Sequence, residues 1–182
     1  MSLKGSNTTA DFLKWETMQL LIQKLLRDED YHFGTLIAVG SYTGLRISDL
    51  KRLKWSDIDT KLILKEAKTG KLRTIHINSE LSHYLDKTRA EIQPFDDDLI
   101  FPYSLQYTNR KLKKIAIKYE LGIKFSTHSF RKTFGRRIWS KNNYSEKSLI
   151  LLGQVFNHSS VAITKRYLGI RDKEIQDIYL NL

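Results

Sequence analysis

Ser126-Thr-His-Ser-Phe-Arg131, Leu152-Gly-Gln-Val-Phe-Asn-His158 and Lys165-Arg-Tyr167 bound the stretch from which the rest of the chain is read. His128 and Arg131 lie three residues apart, and Tyr167 follows His158 by nine, in a chain with only five histidines. Thr127 reads as the N-cap of a helix carrying His128 and Arg131. At i and i+3 the two point the same way, close to a helix N-terminus, where free N–H groups and the dipole favour an anion. Alone, His128 reads as a polar cap and Tyr167 as a packing residue. Together with Arg131 and His158 they suit a phosphodiester, with Tyr167 as the nucleophile.

The charge distribution around this stretch supports that reading. The 182 residues carry a net charge of +11 and are 41% hydrophobic, enough for one domain with a true core. Residues 1–102 balance fifteen Lys/Arg against fifteen Asp/Glu, whereas 103–142 hold eleven basic residues and a single acid, Glu120. Nearly all of the excess therefore leads into the His128–Arg131 pair. Such concentration is the footprint of a polyanion partner, in which Arg110, Lys111, Lys114, Lys132 and Arg136, together with Lys71 earlier in the chain, are the expected DNA contacts. No long amphipathic helix sets aromatics opposite the charge, which favours nucleic acid over a membrane surface. No apolar run approaches ~18 residues, and the polar first nine residues carry no secretory signal. With no cysteine, disulfides and thiolate metal sites are excluded, and the composition fits a reducing cytoplasm.

The periodicity predicts a mainly α fold with a small antiparallel β-sheet. Residues 1–10 read as a flexible leader and 11–182 as one domain. Helices are expected over 11–29, over the apolar stretch 31–43, and again from Leu45 after a break at Gly44. Asp49 shares a helical face with Arg46 and is expected to hold it in place. Strands are expected at 55–59, 62–67 and 72–77, the last two forming a hairpin with Lys68 and Lys71 at its tip. Further helices are expected over 79–93 (N-cap Ser79), 104–119, 146–155, from Asn157-His158-Ser-Ser to Tyr167, and from Asp172 onward.

These residues resemble a family. Thr43-Gly-Leu-Arg-Ile-Ser-Asp-Leu, His128-Ser-Phe-Arg131, Leu152-Gly-Gln-Val-Phe-Asn-His158-Ser-Ser and Thr164-Lys-Arg-Tyr167 are similar to the motifs of the tyrosine recombinases, the phage integrases and chromosome-dimer resolvases. Each motif is weak alone, but their order and the His158–Tyr167 spacing are specific, and the match runs from about residue 11 onward. The resemblance implies that Arg46 and Arg131 are the catalytic arginines. His128 stands at the H-x-x-R position, His158 at the family's His-or-Trp position, Asp49 at that of the acid supporting the first arginine, and Lys68 at the hairpin lysine. Lys71, on the same turn, remains the alternative to Lys68. The resemblance further implies a separate N-terminal DNA-binding domain that these residues do not include.

The chemistry suits the residue types. Two guanidiniums can grip non-bridging phosphate oxygens as charge grows in the pentacoordinate transition state. A tyrosine with an ordinary pKa of ~10 needs help to ionise at neutral pH, from those charges and from His128 as general base. A hairpin lysine suits the general acid for the leaving 5′-oxygen, and His158 suits a hydrogen bond to a phosphoryl oxygen. The product would be a 3′-phosphotyrosyl link, reversible by a second 5′-hydroxyl without ATP, with no cofactor or metal required. The resemblance implies site-specific recombination or integration on double-stranded DNA, by a tetramer on two DNA sites; free of DNA, a monomer is expected. The alternatives are a topoisomerase IB-like strand swivel and a catalytically silent DNA-binding module on the same scaffold.

Overall fold

The computed structural model describes residues 10–68, 70–170 and 179–180. The leader expected over 1–10, apart from Ala10, and the helix expected from Asp172, apart from the helical pair 179–180, lie outside the described residues. Among the described residues, the order is α1 (Trp15–Arg27), α2 (Tyr31–Thr43), α3 (Ile47–Leu50), β1 (Lys61–Lys65), β2 (Leu72–His76), α4 (Ser79–Ile92), α5 (Leu105–Lys118), α6 (Thr127–Lys141), α7 (Glu146–Phe156) and α8 (Val161–Leu168). The fold is mainly helical with a two-stranded antiparallel sheet, as the periodicity predicts. None of the described helices is long and apolar enough to cross a membrane.

The axis of the molecule is α2. It is apolar nearly all round, so it can only be stable with neighbours on every side. It packs against α1, α4 and α6. From α1, Met18, Leu21, Ile22, Leu25 and Leu26 form one stripe at helical spacing against it. Phe130 on α6 joins the same main core, together with Trp55, Leu62 and Ile100.

A second, smaller cluster forms where α7 and α8 meet. Leu149, Leu152, Phe156, Leu168 and Ile170 are its buried members, with Phe134, Ile138, Trp139 and Tyr167 packed against it. Helix α6 belongs to both clusters: Phe130 enters the first, while Phe134 and Ile138, at successive i+4 steps, enter the second. Residues on α6 between those faces therefore lie at the seam. Gly135 lets α8 approach closely, since a Cβ there would stand 2.6 Å from Leu168 Cδ2.

The hairpin register pairs Lys61 with His76 and Lys65 with Leu72. A strand expected over 55–59 is instead a 3₁₀ turn, Trp55–Asp57. The Asp57 carboxylate accepts the Lys54 N–H at 2.8 Å and curls the chain. Trp55 and Ser56 also donate backbone N–H groups to Asp98 and Asp96 of the acidic loop. Only Ile58 keeps a strand-like bridge, to Leu62. Two caps fall one residue earlier than expected: Asn78 rather than Ser79 caps α4, and Ser126 rather than Thr127 caps α6.

Gly44 ends α2 in the left-handed conformation (φ 64°), and a Cβ there would sit 2.6 Å from the Phe134 ring. Gly44→Ala combines backbone strain with overpacking, for an expected loss of about 2–4 kcal/mol. A thermal unfolding midpoint unchanged from the parent would contradict this account of the turn.

Candidate active site

The carbonyl at the C-terminal end of α7 is where the site assembles. Phe156 O accepts a hydrogen bond from Arg46 Nη2 at 2.8 Å and another from Arg131 Nη2 at 3.0 Å. Orphan carbonyls at a helix C-terminus, with the dipole's negative end, attract cations. Arg131 also donates to Gly44 O at the end of α2, and its guanidinium lies 4.2 Å from the centroid of the Phe156 ring. Two arginines far apart in sequence are thereby held side by side by helix ends.

A buried carboxylate, Glu66, completes the arrangement. It pairs with Arg46 (3.5 Å) and with Arg73 (3.3 Å). Arg73 in turn donates to Thr43 O at 3.1 Å and Val155 O at 3.4 Å. Two guanidiniums thus flank one carboxylate, and with Arg131 beside Arg46 on Phe156 O the cluster keeps an excess of positive charge. Burial, then the neighbouring Arg46, pushes the Arg131 pKa down to about 10, still cationic at neutral pH. Sequence reasoning missed both Glu66 and Arg73. A charged residue in a short, half-polar hairpin carries no local sign of burial; only the pairing across the turn brings the two together.

Asp49 does not hold Arg46. Arg46 is the N-cap of α3, in extended conformation, so its side chain leaves the helical face that Asp49 shares. Asp49 Oδ1 instead accepts the Ala67 N–H at 2.8 Å. Glu66 donates its N–H to Lys71 O, and its carbonyl accepts the Gly70 N–H, both at 2.9 Å. The turn bearing Lys68 is thus pinned at its base by Asp49 and by the residue that pairs with Arg46. Lys68 and Lys71 are both exposed.

Tyr167, on the last turn of α8, reaches the same place. Its ring makes edge contacts with Phe156 (5.5 Å) and His158 (5.3 Å), and Lys132 Nζ lies 5.7 Å from its centroid. Its hydroxyl is buried and has no hydrogen-bond partner among the described residues. Burial raises its pKa, while Arg131 and Arg46 pull it down. A buried hydroxyl left unpaired is costly, and such exceptions mark functional sites.

The two histidines differ. His158 shares a hydrogen bond between Nδ1 and Thr164 Oγ1 (3.1 Å). Burial, Arg131, Arg46 and Lys68 push its pKa down to about 4, so it is neutral at pH 7. His128 is the exposed residue of an otherwise buried first turn of α6, and its pKa is lowered by desolvation, Lys132 and Arg131. Both imidazoles are therefore uncharged at neutral pH, one partly enclosed and one open.

The basic residues read as DNA contacts divide into two groups. Arg110 and Lys114 are exposed on α5, Arg110 over the Tyr107 ring. Lys111 is engaged internally, 2.7 Å from Asp30 at the start of α2. Arg136 donates to Leu168 O (2.8 Å) and Gly169 O (3.0 Å), at the end of α8. Lys132 is partly enclosed beside Tyr167.

Helices that bring Arg46, Arg131, His158 and Tyr167 to one seam give the architecture of a tyrosine recombinase catalytic domain, a class of DNA breakage-and-rejoining enzymes. The chain belongs to the phage integrase family, whose model matches residues 12–174. It is 31% identical over 173 residues to a probable integrase/recombinase, YoeC, of Bacillus subtilis, covering 90% of this chain and 89% of that one. It is 27% identical over 150 residues to a tyrosine recombinase of Agathobacter rectalis, where it spans only 48% of the relative's length. Its backbone superposes on the crystal structure of XerA recombinase with a TM-score of 0.70 at 22% identity, covering 93% of this chain and 64% of the other.

The His158 shift has a definite sign. With a folded pKa of about 4 against an ordinary 6.5, the unfolded chain takes up the proton first as pH falls. His158 therefore costs stability progressively from pH 6.5 down to about 4. Denaturation midpoints across this range should fall less steeply in His158→Asn; identical slopes would show that His158 is not held neutral.

Proposed function

We propose that this chain is the catalytic domain of a site-specific DNA recombinase or integrase. The observation that carries the reading is the shared Phe156 carbonyl: it sets two guanidiniums beside a buried tyrosine hydroxyl that has no hydrogen-bond partner among the described residues. A scissile phosphate entering the cage would exchange with that carbonyl and with Glu66 for the N–H donors of Arg46 and Arg131. The charge-assisted bonds strengthen as the equatorial oxygens gain charge in the transition state.

Tyr167 Oη attacks phosphorus, its proton passes to His128, and the bond to the 5′-oxygen breaks. That oxygen leaves with a proton from the hairpin lysine, Lys68, with Lys71 as the alternative donor on the same turn. His158, uncharged, donates a hydrogen bond to a phosphoryl oxygen. The resulting 3′-phosphotyrosyl ester is attacked in turn by the 5′-hydroxyl of a partner strand, which restores the phenol and rejoins the DNA. No ATP is consumed, because one phosphodiester is exchanged for another of similar energy. Asp49 supports the reaction by holding the lysine turn rather than Arg46.

Double-stranded DNA is the partner in this reading. Arg110 and Lys114, exposed on α5, with Lys132 beside the nucleophile, supply its backbone contacts. Strand exchange calls for a tetramer on two DNA sites, formed from monomers on binding.

A suicide duplex nicked next to the cleavage site traps the intermediate. Wild type should form a covalent protein–DNA adduct, and Tyr167→Phe none. Arg131→Ala should slow adduct formation by roughly 10²–10³-fold, the usual scale for losing one transition-state charge donor, with a smaller loss of affinity. Loss of affinity alone, with bound DNA cleaved at the normal rate, would contradict the role given to Arg131. Binding should weaken by at least ~10-fold between about 50 and 200 mM salt, and Arg110→Ala with Lys114→Ala should flatten that dependence.

A further inference from the structure

Arg136 belongs to the run of basic residues that leads toward DNA, yet its guanidinium faces inward. Nε donates to Leu168 O at 2.8 Å and Nη2 to Gly169 O at 3.0 Å. These are the terminal carbonyls of α8, immediately after Tyr167. Gly169 closes that helix in the left-handed conformation (φ 66°). The planar fork of an arginine matches two adjacent carbonyls, and a cation there also meets the negative end of the helix dipole.

The guanidinium is itself held from behind. Its centre lies 4.6 Å from the centroid of the Phe12 ring and 5.6 Å from that of Trp139. Phe12 sits on a strap that runs along α6. Leu13 N donates to Thr133 Oγ1 at 3.0 Å, Asp11 N donates to Lys124 O at 3.2 Å, and Lys124 N donates to Asp11 Oδ2 at 3.1 Å. The strap, Arg136 and the end of α8 therefore form one continuous chain of contacts ending beside the tyrosine.

We propose that Arg136 is a positioning residue for Tyr167, a clamp on the C-terminus of the nucleophile helix braced by Phe12, rather than a DNA contact. Helix α8 has only eight residues, too few to be stable alone, so its placement comes from its packing and its caps. Tyr167 lies one residue before the first clamped carbonyl, and loosening the clamp moves the phenol directly. A displacement of about 1 Å in a reacting group costs up to ~10²-fold in rate. The phosphate cage of Arg46 and Arg131 is anchored elsewhere, on Phe156 O and Gly44 O, so it survives loss of the clamp.

This inference rests on Tyr167 being the nucleophile, and its test separates the two. In Arg136→Gln, amide exchange across α8 should accelerate more than ~10-fold while α1 to α5 stay unchanged, a readout that needs no DNA. At saturating DNA, suicide-substrate adduct formation should fall about 10- to 100-fold with affinity within ~2-fold of wild type. Hydrogen peroxide supplied to Tyr167→Phe can replace the phenol: it attacks phosphorus, gives up its proton to the base, and expels the 5′-oxygen as the hydroxyl. That peroxide-driven cleavage should run at the same rate when Arg136→Gln is added to Tyr167→Phe, because the cage is intact. Phe12→Leu keeps the guanidinium but removes its platform, and should slow adduct formation less, in the same direction; it also serves if Arg136→Gln fails to fold. Unchanged α8 exchange, an equal loss of peroxide-driven cleavage, or weakened DNA binding with a normal rate on bound DNA would each overturn the clamp. If wild type forms no adduct at all, it is the recombinase reading that fails, and α8 exchange still decides whether the clamp exists.

Discussion

Phe156 O, at the end of α7, accepts from two arginines far apart in the sequence. Arg46 arrives from the short α3 after the left-handed turn at Gly44, and Arg131 from the first turns of α6. Among the described residues, Glu66 is the one carboxylate paired with either guanidinium, so helix-end carbonyls hold their positions. This constraint explains the two-cluster core. The main core fixes α2, α3 and α6, the smaller cluster fixes α7 and α8, and the site occupies the seam between them. A shift of α7 would separate Arg46 from Arg131 and carry His158 and Tyr167 with it.

The electrostatics of the cage follow from the same geometry. Glu66 offsets part of the charge of Arg46 and Arg73 without neutralising the cluster. Burial disfavours the charged forms, and like charges at close quarters add to the cost, which is why the Arg131 pKa comes down and why both histidines are uncharged. A bound anion would relieve that repulsion. The arrangement is costly for the free chain, as expected where functional sites trade stability for preorganisation.

Much of this was legible in the sequence. The apolar run of α2, the Gly44 break and the lysine-tipped hairpin carried clear signals, and the motif order carried the family. Local reasoning failed where a side chain's partner is distant. Asp49 and Arg46 share a helical spacing, but the N-cap conformation of Arg46 separates them, and Glu66 takes its place. Lys111 and Arg136 read as parts of a DNA face because charge runs do not reveal which residues turn inward. Residues 55–59 read as a strand, but the Asp57 cap and the acidic loop bend them into a turn.

The most direct test of the central claim is to digest the trapped protein–DNA adduct and map the modified peptide by mass spectrometry. The account predicts a nucleotide 3′-phosphate esterified to Tyr167 and to no other residue. A nucleotide on any other side chain, or an adduct that persists in Tyr167→Phe, would contradict it.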